Sequence, residues 1–222
     1  MKIENIKACV FDAYGTLFDV NSAAAKCKEK LGSKWEGFAN AWRTTQLGYT
    51  WLRSLMKKHK NFWEITEDSL DHTMETFKIK KEMRSELLDL YKKLSPYPEV
   101  TDCLKGLKDK KIKIAILSNG TPDLLNELVA SNNLNNLFDD LFSVEKVKVY
   151  KPDSKVYEMP VKKYNCKPEN ICFMSSNTWD VSGGGIFGYN AIWVNRFNKI
   201  FDKLSYKPKF VINNLEELLK II

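Results

Sequence analysis

The chain has 222 residues, 44% of them hydrophobic and 28% charged, the balance of a globular protein long enough to bury a sizeable core. Ten glycines and seven prolines are too few for a disordered or collagen-like chain, and no run approaches the ~18 apolar residues of a membrane helix. The net charge is +7, but its lysines are interleaved with acids, as in KKEMRSELLDLYKKL, so a solvated surface is the better reading than a dedicated nucleic-acid or membrane patch.

Five dispersed cysteines (Cys9, Cys27, Cys103, Cys166, Cys172) include no CxxC pair, which argues against a disulfide framework and a structural zinc site. Free thiols point to a reducing compartment. Glu4 and Lys7 stand where a secretory apolar segment would run, so the expected location is the cytoplasm.

Residues 6–12 (IKACVFD) form a short run of strand formers that ends at an acid and enters a Tyr14-Gly15-Thr16 loop. From about 20 to 95 the pattern is helical, as in FANAWRTTQLGYTWLRSLMKKH, until Ser95-Pro96-Tyr97-Pro98 breaks it. Alternation follows: TDCLKGLKDK as helix, IKIAILSNG as strand, PDLLNELVASNN as helix and LFSV as strand. SKVYEMPVKKYN is then a helix, ICFMSSN and NAIWVNR are strands, and NLEELLKII is a closing helix. This order implies an α/β fold, a Rossmann-like parallel sheet covered by helices, with an all-helical block inserted after the first strand. The expected core domain is 1–15 plus 98–222 and the expected helical cap is 16–97. The Gly183-Gly184-Gly185 run departs from a good helix start and reads as a loosened loop.

In such sheets ligands bind at the carboxyl ends of the strands. Asp12 ends the first strand, Ser118-Asn119 the second, and Lys151 sits in VYKPD before a helix. ICFM runs into Ser175, Ser176 and Asn177, with Trp179 and Asp180 immediately after. Polar caps are common at any one strand end. Four such ends together describe a crevice with two carboxylates and an amine. A carboxylate needs no activating base at neutral pH, since its unperturbed pKa is ~3.9. Repulsion between Asp12 and Asp180 would raise one of them, and a lysine at 4 Å, worth roughly 4 kcal/mol at an effective dielectric near 20, would offset it.

The segments Asp12-Ala13-Tyr14-Gly15-Thr16-Leu17-Phe18-Asp19, Leu117-Ser118-Asn119-Gly120, Tyr150-Lys151-Pro152-Asp153 and Ser175-Ser176-Asn177-Thr178-Trp179-Asp180 resemble the four signatures of the haloacid dehalogenase superfamily. Trp42-Arg43, Gln46-Leu47, Tyr49-Thr50-Trp51-Leu52-Arg53 and Asn61-Phe62 are similar to the cap of its L-2-haloacid dehalogenases. The resemblance implies a cofactor-free, metal-independent hydrolase that converts small anionic L-2-haloacids to D-2-hydroxyacids through an aspartyl ester. It also implies a homodimer. Asp12 would be the nucleophile, with Lys151, Asp180, Asn177, Ser175, Thr16 and Arg43 as its catalytic companions. Asp180, Asn177 and Ser175 would orient the water. Ser118 and the backbone amides after Tyr14 would hold the substrate carboxylate, Arg43 and Asn119 the leaving halide. Leu47, Phe62 and Trp179 would wall the alkyl side. Ala13, Tyr14 and Tyr157 complete the substrate site.

Two rivals remain at this stage. A magnesium-dependent phosphatase of the same superfamily would carry an acid two residues after the nucleophile, where this chain has Tyr14, and a further metal-binding Asp where it has Ser176. A non-catalytic basic binder is the other. His59 and His72, read as residues of charged helices, and the lack of a G-x-S-x-G elbow exclude a serine hydrolase triad.

Overall fold

Ala8–Phe11 (β1) is a run of four side chains with no solvent exposure, which only the middle of a doubly covered sheet can accommodate. In the computed structural model, which describes residues 2–222, it occupies that position. Lys113–Ser118 (β2), Asp140–Ser143 (β3), Ile171–Ser175 (β4), Asn190–Val194 (β5) and Phe210–Ile212 (β6) complete a six-stranded sheet in the order β3-β2-β1-β4-β5-β6. Every pairing is parallel, with Phe11 opposite Ile116 on one side and Met174 on the other. The strand order reverses direction between β1 and β4, so a crevice opens where their carboxyl ends diverge. The expected α/β architecture is thus the observed one. β6 went unread because three residues between Lys209 and Asn213 carry too little pattern.

Between β1 and β2 the chain forms α1 (Ser22–Lys26), α2 (Lys28–Leu31), α3 (Trp35–Leu55), α4 (Phe62–Phe77) and α5 (Met83–Tyr91), then α6 (Val100–Asp109). α3 and α4 pack through Trp42, whose indole donates to the Thr66 carbonyl at 3.1 Å, and through Gln46, whose amide donates to the Thr66 hydroxyl at 2.7 Å. An Asn61–Glu64 capping box starts α4. The two linkers to the helical block pair with each other: Tyr97 N–H donates to Leu17 O at 3.0 Å and Asp19 N–H to Ser95 O at 2.8 Å. His59 corrects the helical assignment made from sequence. It lies in the loop between α3 and α4, where its Nε2 meets Glu145 at 3.0 Å across the junction with the sheet portion; His72 is in α4 as expected.

The remaining helices are α7 (Pro122–Ser131), α8 (Ser154–Tyr164), α9 (Thr178–Phe187) and α10 (Leu218–Ile221). The closing helix is shorter than NLEELLKII suggests, because Leu215–Glu217 is a 3-10 turn. All five cysteines are free.

α9 overturns the loop reading of the glycine run. All three glycines are helical, and each faces a side chain where a Cβ would intrude. A Cβ on Gly183 would sit 2.5 Å from the Tyr157 hydroxyl oxygen, one on Gly184 would sit 2.8 Å from the Phe173 ring, and one on Gly185 would collide with the Tyr206 ring. Helix propensity is sacrificed so that α9 can lie close against α8 and β4. Gly184→Ala tests this directly. Propensity alone predicts a gain of ~1 kcal/mol, whereas overpacking against the buried Phe173 costs about 1–3 kcal/mol. The urea midpoint should fall.

Candidate active site

β1 delivers Asp12, whose N–H continues the ladder to Met174 O at 2.9 Å and whose side chain is almost wholly buried. The chain then turns sharply through Gly15, at φ 93°, a conformation that favours glycine. The turn returns the Thr16 hydroxyl to Asp12 Oδ2 at 3.0 Å, while Thr16 Oγ1 accepts Ser176 N–H at 2.8 Å. β4 and the start of α9 supply Asn177 Nδ2, donating to the same Oδ2 at 2.8 Å, and Ser175 Oγ at 3.5 Å. The other oxygen, Oδ1, accepts from Lys151 Nζ at 3.1 Å.

Lys151 is 1% exposed and also donates to Asp180 Oδ2 at 2.8 Å. Burial alone would push its ammonium down, but Asp12 and Asp180 outweigh that and hold it above the ordinary lysine value. Asp180 is fully buried, and desolvation lifts its carboxyl to about 6, with Asp12 adding to the rise and Lys151 opposing it. Tyr157, on α8, donates to Asp180 Oδ1 at 2.7 Å. This contact requires Gly183, since a Cβ there would meet the phenol. Burial also keeps the Tyr157 and Tyr14 phenols well above their usual range, so both are neutral donors.

The helical block reaches in through Arg43, whose Nη2 donates to Tyr14 O and Asn177 Oδ1, each at 2.9 Å. The Tyr14 ring lies between Phe62 at 5.4 Å and Tyr91 at 5.8 Å. A cleft of about 290 Å³ opens beside the cluster, with Arg43, Asn177 and Trp179 in its wall.

Of the residues expected at the site, Asp12, Thr16, Arg43, Lys151, Tyr157, Ser175, Asn177 and Asp180 are joined by these hydrogen bonds. Ser118 is buried at the end of β2, its hydroxyl accepting from Gly120 N–H at 3.0 Å, and Asn119 Oδ1 accepts Lys151 N–H at 3.2 Å. Ala13 serves through its carbonyl, which receives Leu17 and Phe18 N–H at 3.0 Å. Trp179 packs edge-on against Trp51 at 5.4 Å. Leu47 lies one turn beyond Arg43 on α3 and is half-buried.

One expectation is corrected. Of the amides after Tyr14, Gly15 N–H donates to Phe18 O at 2.8 Å and Thr16 N–H to Ala13 O at 3.3 Å. The loop's own closure consumes these donors, so they are not free for a substrate carboxylate. Sequence reasoning also missed Tyr91 and Gln46, linked at 3.0 Å beneath Tyr14, and Gly183. Gln46 left a signal, a polar residue in the apolar stripe of α3. Gly183 left only the unexplained run.

Lys151→Met removes the one cation shared by two buried carboxylates. The variant should lose about 3–5 kcal/mol at pH 7.5. With the lysine gone, the Asp180 carboxyl rises further above its unfolded value, so the variant's native state binds more protons than the wild type's, and the deficit shrinks as pH falls through that raised value. Urea unfolding at pH 7.5 and 5 measures both. An equal deficit at the two pH values would refute the electrostatic account.

Residues 6–188 match the family model for haloacid dehalogenase-like hydrolases. The chain is 42% identical to (S)-2-haloacid dehalogenase of Pseudomonas fluorescens, covering 97% of this chain and 96% of that one. It is 39% identical to (S)-2-haloacid dehalogenase 1 of Pseudomonas sp. strain CBS-3, over 99% and 98% of the two chains. The solved L-2-haloacid dehalogenase of Xanthobacter autotrophicus with chloropropionic acid covalently bound superposes with a TM-score of 0.90 at 33% identity, covering 97% of each chain. With matches of this extent, and with the four signature segments converging on one crevice, the chain belongs to the haloacid dehalogenase-like hydrolases.

Proposed function

We propose that this protein hydrolyses short L-2-haloalkanoates to D-2-hydroxyalkanoates and halide, without a metal or cofactor. The carrying observation is the buried Asp12–Lys151–Asp180 cluster, in which one ammonium neutralises two carboxylates that differ in surroundings. An Asp12 oxygen attacks C2 from the face opposite the halogen, and the halide leaves with the C–X electron pair. The product is an ester between Asp12 and C2. Water then attacks the ester carbonyl carbon, and Asp180, with Asn177 and Ser175 orienting that water, accepts its proton. The alkoxide departs with a former Asp12 oxygen and takes up a proton, while the water oxygen remains in Asp12 and one net proton goes to solvent. C2 is inverted once.

Arg43 and Asn119 receive the halide, and Ser118 contributes to holding the substrate carboxylate. Leu47, Phe62 and Trp179 bound the alkyl side. The residues that would mark a phosphatase are replaced by Tyr14 and Ser176, and the buried, neutral Tyr14 phenol is a poor acid for a leaving alkoxide. We place the core at residues 1–15 and 98–222 and the cap at 16–97, supported by the linker pairing at Leu17–Tyr97 and Asp19–Ser95. A homodimer is supported by Leu52 and Leu55 standing exposed on α3 with Met56 just beyond its end, and a cytoplasmic location by the five free thiols.

Halide release from racemic 2-chloropropionate, with and without EDTA, tests the reading. One enantiomer should be consumed, giving the D-hydroxyacid whether or not the chelator is present. Asp12→Asn should retain less than a hundredth of the rate, a loss of ~3 kcal/mol or more. In heavy-oxygen water the first turnover should label Asp12 and not the product; label entering product at once would mean that water attacks C2. Retained or racemised product would equally remove Asp12 as nucleophile.

The rate has a predictable pH dependence. Asp180 must be ionised to accept the water proton, so kcat should fall on an acid limb at or below about 6, since esterification of Asp12 removes one of the charges that raise the Asp180 carboxyl. The phenol of Tyr157 stabilises that carboxylate. Tyr157→Phe should therefore move the acid limb to higher pH, and a limb that does not move would exclude Asp180 as the base.

A further inference from the structure

A second buried ion pair stands beside the cluster, and no step above uses it. Arg196, in the loop after β5, donates through Nη1 to Glu99 Oε1, with side chains only 7% and 9% exposed. Its Nη2 donates to the Thr16 carbonyl at 2.8 Å, and its guanidinium carbon lies 3.9 Å from the centre of the Tyr97 ring. Glu99 is held in turn by Leu215 N–H at 3.3 Å. One planar cation thus touches both linkers of the helical block. On the outgoing linker it binds the residue whose hydroxyl donates to Asp12; on the return linker it stacks on Tyr97.

Fixing the Thr16 carbonyl fixes the peptide plane that follows Thr16 and, with it, where the Thr16 hydroxyl stands. Misplacement of a reacting group by about 1 Å can cost ~100-fold in rate. A guanidinium can stack and bond through two nitrogens at once, whereas an ammonium offers a point charge. Building on the dehalogenase reading above, we propose that Arg196, anchored by Glu99, is a positioning residue that holds the nucleophile loop through the Thr16 carbonyl and ties it to the return linker through Tyr97. Its Nε has no partner among the described residues, and Arg196 lines the same cleft as Arg43, so direct binding of substrate is the rival role.

Steady-state halide release from L-2-chloropropionate separates the two. Arg196→Lys keeps a cation for Glu99 but cannot make all three contacts, and kcat should fall about 10- to 100-fold with KM within threefold of wild type. Arg196→Met/Glu99→Gln removes both buried charges together, and the folded double variant should show the same split. Glu99→Gln alone, which keeps the acceptor, should retain at least a third of kcat. Because Arg196 acts through Thr16, Arg196→Lys should slow a Thr16→Ala background by less than twofold.

Folded Arg196→Lys with kcat within twofold of wild type would overturn the proposal. So would a loss carried by KM, or losses that multiply in the Thr16→Ala background. A wild-type protein inert toward every haloacid would instead sink the dehalogenase reading, which these variant-to-wild-type ratios do not test.

Discussion

The Lys151 ammonium is the charge around which the site is organised. A cation this deeply buried is tolerable only when paired and hydrogen-bonded, and it finds Asp12 from the end of β1 and Asp180 from the first turn of α9. The same pairing lets the carboxylates come together, since without it two acids sharing one cation's coordination would repel. Its own backbone is held from two directions. Asn119 Oδ1 accepts the Lys151 N–H, and the preceding Tyr150 donates its hydroxyl to Lys60 O at 2.6 Å and its N–H to Ser54 Oγ at 3.2 Å. The charge that unites the strand ends is therefore positioned jointly by the sheet and by the helical block.

The two carboxylates are chemically unequal because their neighbours are. Asp12 accepts from Thr16, Asn177 and Lys151, and it lies one hydrogen bond behind Asn177, which lines the cleft with Arg43. Asp180 has no exposed surface and shares its oxygens between Lys151 and a neutral phenol. Two acids pushed apart by environment are suited to different tasks, and the proposed division between attack on carbon and acceptance of a proton from water follows that difference. Gly183 belongs to this division although it carries no chemistry, because only a residue without a side chain leaves room for the Tyr157 hydroxyl.

The sheet was legible because each buried parallel strand is a short apolar run between helices, and Ala8–Phe11, Lys113–Ser118 and Ile171–Ser175 all have that form. Strand ends then located the acids and the amine, and the motif resemblance supplied Thr16, Arg43 and Tyr157. What escaped was set by tertiary contact. Helical geometry at Gly183–Gly185 follows from close packing on three aromatic side chains, which outweighs local propensity. The hydrogen bonding of the Gly15 and Thr16 amides follows from how the loop closes. His59 is in a loop, not a helix, because α3 ends at Leu55 and α4 begins only after Asn61, and that loop packs on the sheet portion through Glu145 and Tyr150.

The helical block contributes directly to the geometry of the site. Arg43 is the block's only cation bonded to the nucleophile loop, and it binds there a backbone carbonyl and the Asn177 oxygen, while the nitrogen of that same amide donates to Asp12. Orienting Asn177 for Asp12 is therefore coupled to the block being seated. Tyr14 makes the same connection through packing, since its ring is held by Phe62 and Tyr91 from the block while its carbonyl is gripped by Arg43. A few directed bonds and one aromatic column thus carry orientation from the block to the loop after β1. The paired linkers at Leu17–Tyr97 and Asp19–Ser95 lie at the foot of that junction, next to Thr16.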